Sequence, residues 1–259
     1  MKKTAVLVMV LLTVLYGAIS VRAEEGQTKS WYCVRNKEHK QPIADADMRF
    51  VEQYDGIYVD HTHGDDSDDK VIYLTFDVGY ENGNVERILD ILREKDVKAT
   101  FFILSNVIES NPDLICRMTD DGHDVGNHTC THKDLTRVSD EELHRQITAL
   151  EAQYASLTGK PMAKLFRPPE GKFNEHVMRQ VQGLGYRTVF WSFAYADWDN
   201  ARQPSATQAK EKILENLHNG AILLLHPTSA TNAQILGDVI NQITAMGYRF
   251  GRIGDIPAS

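Results

Sequence analysis

The strongest constraint in this 259-residue chain is an alternation that begins after Lys70 and runs almost to the end. Strand-like apolar runs lie at 71–76, 98–103, 123–126, 164–166, 186–191, 221–225 and 248–250, with helical segments between them at 85–95, 112–121, 140–157, 175–184, 206–218 and 232–246. Strands joined through helices of about ten to fifteen residues pair in parallel, because such a crossover returns the chain to the same end of the sheet. Seven such units predict an α/β fold closed into a barrel more readily than an open sheet, although periodicity alone does not choose between the two. Start and stop signals agree with the helices. Ser139-x-x-Glu142 has the form of a capping box. Gly122, Gly185 and Gly247 follow helix ends, where glycine takes a left-handed turn at least cost.

The start of the chain reads differently. A basic M-K-K, an apolar stretch over 4–20 and V-R-A at 21–23 predict a secretory signal peptide over residues 1–23, cut after Ala23. An uncleaved membrane anchor is the alternative, and no later segment is apolar and long enough to span a bilayer. Residues 24–69 read as an N-terminal extension packed on the barrel or leading into it. They are polar and irregular to about residue 65, and D-D-S-D-D at 65–69 is a solvated loop. Loss of Lys2, Lys3 and Arg22 leaves 25 basic residues against 36 acidic ones, a formal charge of −11. Such a chain repels phosphate backbones, so nucleic acid is not an expected partner. Cys33, Cys116 and Cys130 are an odd number without C-x-x-C spacing, which leaves one bridge plus a thiol or three thiols. Cys130 reads as a bystander, since a catalytic thiol is fragile in an oxidising compartment.

Sites in barrels and open α/β sheets form at the carboxyl ends of strands. There the sequence places Asp77, then N-H-T-C-T-H with His128 and His132, then R-P-P-E-G with Arg167, then S-F-A-Y-A-D-W with Asp197, then His226. Each residue alone has an ordinary structural explanation. Their shared position does not. The set suits hydrolysis of an acyl bond by activated water. Asp77 serves as general base, kept ionised by Arg167, and His226 as general acid, oriented by Asp197. His128 and His132 are a candidate pair for a cation that polarises the carbonyl. A serine nucleophile is not indicated, because no G-x-S-x-G occurs.

In order, T-F-D-V-G, H-T-C-T-H, R-P-P-E-G, W-S-F-A-Y-A-D-W and L-L-L-H resemble the five motifs of the NodB-homology polysaccharide deacetylases, carbohydrate esterase family four. The resemblance spans Lys70 to about Phe250. Finer wording, I-Y-L-T-F-D-x-G-Y-E-N-G and L-L-L-H-P-T-S-A-T-N-A, is similar to the delta-lactam-biosynthetic de-N-acetylase branch. The resemblance implies a distorted (β/α)7 barrel, a polysaccharide deacetylase catalytic domain over 70–259, and an exported enzyme of the cell wall or spore envelope. Its implied reaction removes acetyl from N-acetylmuramic acid in spore-cortex peptidoglycan, on the way to muramic delta-lactam and after an amidase has removed the peptide. It assigns Asp77 as base, His226 as acid, Arg167 and Asp197 as their partners, and His128 and His132 as the metal or substrate pair.

Two positions depart from the family pattern. Val78 stands where the family has the acid that completes a two-His, one-Asp zinc site, and Ala194 where many relatives have an acid. Three readings follow: one divalent metal, zinc or similar, held weakly by the two histidines; no metal, with the histidines bonding the sugar; or a non-catalytic glycan-binding relative. Among enzymes, the alternative substrate is N-acetylglucosamine in peptidoglycan or a chitin-like glycan. Tyr80, Trp191 and Tyr195 are candidates to stack on sugar, and Glu81, Asn82 and Glu170 to contact it. Y-E-N-G also reads as a plain turn, since Asn-Gly favours one.

Overall fold

The computed structural model describes residues 26–257. The predicted signal peptide therefore lies outside the described residues. The main sheet consists of β1 (Val71–Val78), β2 (Thr100–Ile103), β3 (Asp124–Asn127), β4 (Leu165–Phe166), β5 (Arg187–Thr188), β6 (Phe193–Ala194), β7 (Ala221–Leu225) and β8 (Arg249–Gly251). All pair in parallel, in the order β6-β7-β1-β2-β3-β4-β5. β8 lies along the first half of β1, Arg249 opposite Val71, before β2 takes over that edge at Thr75 opposite Thr100. The sheet curls into the distorted (β/α)7 barrel expected of the sequence.

β1 shows how the strand residues are divided. Ile72, Leu74, Phe76 and Val78 face a helix-side core that includes Leu89, Ile115 and Ile240. Val71 and Tyr73 face an inner core with Phe102, Leu165, Val189 and Ile222. A strand buried on both faces must be largely apolar, and this one is, except on its inner face at Thr75, whose hydroxyl donates to the Leu223 carbonyl at 2.7 Å, and at Asp77. The helices α1 (Asn84–Glu94), α2 (Ser105–Ser110), α3 (Pro112–Asp120), α4 (Asp140–Thr158), α5 (Glu175–Gly183), α6 (Ala206–Glu215) and α7 (Ala230–Ala245) surround the sheet. Ser139 does cap α4 by accepting from the Glu142 N–H, but the Glu142 carboxylate turns to Arg145 and Lys133. The reciprocal capping box is instead Ser205 with Gln208 at α6. Among the described residues no helix is long and apolar enough to cross a membrane.

Several expectations need correction. The 186–191 run contributes only Arg187–Thr188 to the sheet, and β6 and α2 were not foreseen. β1 continues through Val78, so Asp77 is a strand residue rather than the first residue after one. Cys33, Cys116 and Cys130 are all free thiols, one of the two alternatives left open by their number. The extension is more ordered than its composition suggests. The chain crosses the open seam of the barrel between β5 and β6, and residues 57–60 bridge it. Ile57 bridges to Val189 and Val59 to Ala221, while the Phe190 N–H donates to the Ile57 carbonyl at 2.7 Å and the Asp60 N–H to that of Gly220 at 2.9 Å. Trp31 stacks on Phe190 with ring centroids 4.4 Å apart, and its Nε1 donates to the Trp191 carbonyl at 2.9 Å.

Candidate active site

A cavity of about 630 Å³ opens at the carboxyl ends of the strands, and Asp77, His128, His132 and His226 all line it. Arg167 and Asp197 are fully buried behind this wall. Asp77 Oδ1 accepts from Arg167 Nη1 at 2.8 Å. The guanidinium is fixed from behind, with Nε donating to the Val189 carbonyl at 3.0 Å and Nη2 to that of Phe190 at 3.1 Å. Burial alone raises the Asp77 pKa, but the charge and hydrogen bond of Arg167, with His226 across the cavity, outweigh it and hold the carboxyl below its ordinary range.

His226 hangs from Asp197 by two bonds: Nδ1 to Oδ1 at 2.7 Å, and backbone N–H to Oδ2 at 2.8 Å. Burial pulls the imidazole pKa down. The hydrogen bond and charge of Asp197, with Asp77 beyond, push it further up, so the net direction is upward. Nδ1 faces the carboxylate and leaves Nε2 as the ring's free nitrogen. An ionised carboxylate and a proton-bearing imidazole thus share one cavity, with environments that drive their pKa values apart.

The histidine loop is built with left-handed backbone at Thr129 (φ 75°) and His132 (φ 57°). A β-branched residue adopts such a φ only where its surroundings enforce it. Here buried Asn127 accepts the Thr129 N–H at 2.9 Å, the Thr129 hydroxyl accepts the His132 N–H at 2.9 Å, and Gln146 Oε1 accepts the Thr131 N–H at 2.9 Å. His128 Nδ1 donates to the Arg167 carbonyl at 2.8 Å, and burial pushes its pKa down to about 4. Its neutral Nε2 then presents a lone pair 3.6 Å from Asp77 Oδ2.

The sequence profile of the polysaccharide deacetylase family matches residues 64–189. The peptidoglycan-N-acetylmuramic acid deacetylase PdaA of Bacillus subtilis is 36% identical over 241 residues, covering 93% of this chain and 90% of that one. This chain belongs to the polysaccharide deacetylase family. The solved structure of PdaA, a family 4 carbohydrate esterase, matches with a TM-score of 0.83 and covers 89% of this chain and 97% of that one. A peptidoglycan-N-acetylglucosamine deacetylase of Bacillus cereus is 31% identical over 195 residues, covering 73% of this chain and 89% of that one. A pseudoenzyme of the same esterase family from Bacillus anthracis is 28% identical, with a TM-score of 0.68, covering 73% of this chain and 66% of that chain. Members with and without activity share the fold, so activity must be argued from residues.

As a deacetylase of this family, the chain has an unusual donor set for a metal. Among the described residues no group of three or more His, Cys, Asp or Glu side chains is arranged to hold an ion. Val78 is fully buried on the helix side of β1 and does not line the cavity. Two neutral imidazoles do not fit a catalytic zinc that takes three protein ligands and a water. The remaining candidates divide. Tyr80, Glu170, Trp191 and Tyr195 line the cavity, Glu170 in a left-handed conformation and paired with Lys172 at 2.7 Å. Glu81 and Asn82 do not line it. One Glu81 oxygen accepts the Gly83 N–H within the turn, while Asn82 accepts the Asn84 N–H at 3.3 Å and donates to the remote Thr228 carbonyl at 2.9 Å. Sequence reasoning missed Leu104, Thr228 and Trp198 as lining residues. Trp198 is 63% exposed at the cavity.

Proposed function

We propose that this protein hydrolyses the N-acetyl group of N-acetylmuramic acid residues in peptidoglycan. The observation that carries the reading is the pairing, in one cavity, of an Arg167-held Asp77 with an Asp197-held His226, on a chain that aligns with PdaA over nearly its whole length. Asp77 takes a proton from water as its oxygen adds to the acetyl carbonyl carbon. His226 then gives a proton to the amide nitrogen as the carbon–nitrogen bond breaks, since an amine anion is too poor a leaving group unaided. The products are acetate and the free amine. Once an amidase has removed the peptide, that amine and the lactyl carboxyl of the same sugar condense to muramic delta-lactam with loss of water, the product expected in spore cortex. An exported protein of the cell wall or spore envelope fits this substrate.

The alternative substrate, N-acetylglucosamine, is favoured by the similarity to the Bacillus cereus enzyme. The test incubates purified protein with a peptide-free muramic glycan and with a chitin oligomer, each with and without chelator, and follows acetyl loss by mass spectrometry. Loss from the muramic glycan alone is the expected result. Loss from chitin moves the assignment to the alternative. Silence on both, with metal supplied, makes the protein a glycan binder.

A further inference from the structure

We infer that Asn232 is a positioning residue that locks the His226–Asp197 pair to the Tyr195 wall of the cavity, so that the general acid is aligned as one unit with a surface the sugar touches. The inference rests on the reading of His226 as general acid. Asn232 is buried in the first turn of α7, six residues after His226. Its own N–H is tied to the Ser229 hydroxyl at 3.0 Å, which pins the root of the side chain. Nδ2 donates to Asp197 Oδ2 at 2.6 Å and to the His226 carbonyl at 3.1 Å, and Oδ1 accepts from the Tyr195 hydroxyl. Both donors of the carboxamide point to the acid pair, and its acceptor points to the wall.

That arrangement admits few substitutes. An aspartate puts an acceptor against Asp197, and an aliphatic residue leaves buried polar groups unpaired. Asp197 divides its two oxygens among three donors: the His226 ring, the His226 backbone and Asn232. Asn232 is the only one of the three that does not belong to His226. The charged groups facing His226 are Asp197, Asp77 from β1 and Arg167 from the loop after β4. Asn232 is neutral, so a change there reaches the imidazole through Asp197. Removing one of its donors leaves more of the Asp197 charge to stabilise the imidazolium. Tyr195 keeps its ring toward the cavity while its hydroxyl is committed to the amide.

The test uses the full protein as wild type, Asn232→Leu and Tyr195→Phe. Folding is checked by circular dichroism, the His226 ring is titrated by NMR, and kcat and KM are measured on peptide-free muramic glycan. In Asn232→Leu the His226 titration moves upward, the alkaline limb of kcat moves with it, and kcat falls roughly 100-fold while KM changes less than about twofold. Tyr195→Phe retains the ring and lowers kcat about fivefold, the worth of one buried hydrogen bond. A folded Asn232→Leu protein with the wild-type His226 titration overturns the inference, whatever its activity. If Asn232→Leu does not fold, Tyr195→Phe carries the test, and unchanged kcat there overturns it. A wild type silent on the glycan, yet whose His226 titration responds to Asn232→Leu, sinks the deacetylation reading and leaves the lock standing.

Discussion

In the proposed reaction Asp77 and His226 depend on neighbours that never reach the cavity, Arg167 holding the first and Asp197 the second. Asp77→Ala and His226→Ala should each lower kcat by about 100-fold or more while the far-ultraviolet spectrum stays that of the wild type. Turnover near wild type in either would remove its assigned role. The pH profile follows from the directions of the two shifts. The base is active above its lowered pKa and the acid below its raised one, so the plateau extends on both sides of the interval set by an ordinary aspartate and an ordinary histidine. Arg167→Ala takes away the largest charge that lowers the Asp77 pKa, so the acidic limb should move to higher pH. It also leaves a buried carboxylate unpaired, at a cost of about 3–5 kcal/mol, and an unmoved limb in folded protein would count against Arg167. Asp77, His128, Arg167 and His226 were legible because polar residues at strand ends stand out from apolar runs. Asn232 stands inside the quoted L-L-L-H-P-T-S-A-T-N-A, yet no role was read for it, because one amide in a helix has no distinguishing spacing. Glu81 and Asn82 were half legible: the Asn-Gly turn was weighed, but the tie from Asn82 to the distant Thr228 carbonyl was not.

Helices were read to within a few residues because glycine and serine mark their ends, and strand cores because both faces are buried. The failures share a cause, which is that the partners are remote in sequence. Nothing near residue 190 announces that the chain leaves the sheet there to cross a seam, and nothing near Trp31 announces that it will stack on Phe190. The extension was read as irregular on composition. Its aromatic residues instead form a core of their own with Phe173 and Phe190. Trp31→Ala should therefore cost about 3–5 kcal/mol, read as a fall in the denaturation midpoint at unchanged slope. A cost under about 1 kcal/mol would show that the extension is an appendage.

For the molecule as a whole, the barrel positions donors from five strand ends while leaving the cation question to two imidazoles. Protein dialysed against metal-free buffer should retain well under one equivalent of zinc by elemental analysis, because two neutral ligands lack the anionic third. Stoichiometric zinc after dialysis would mean that a donor not assigned here completes the site. The seam has a consequence for how the protein comes into being. Residues 57–60 leave the ribosome early, but the strand edges that receive them, near residues 189 and 220, emerge only when most of the chain has been made. This early segment is thus seated late, and contacts so distant in sequence close slowly. Until synthesis is well advanced, the Phe190 backbone behind Arg167 lacks the brace that Ile57 supplies.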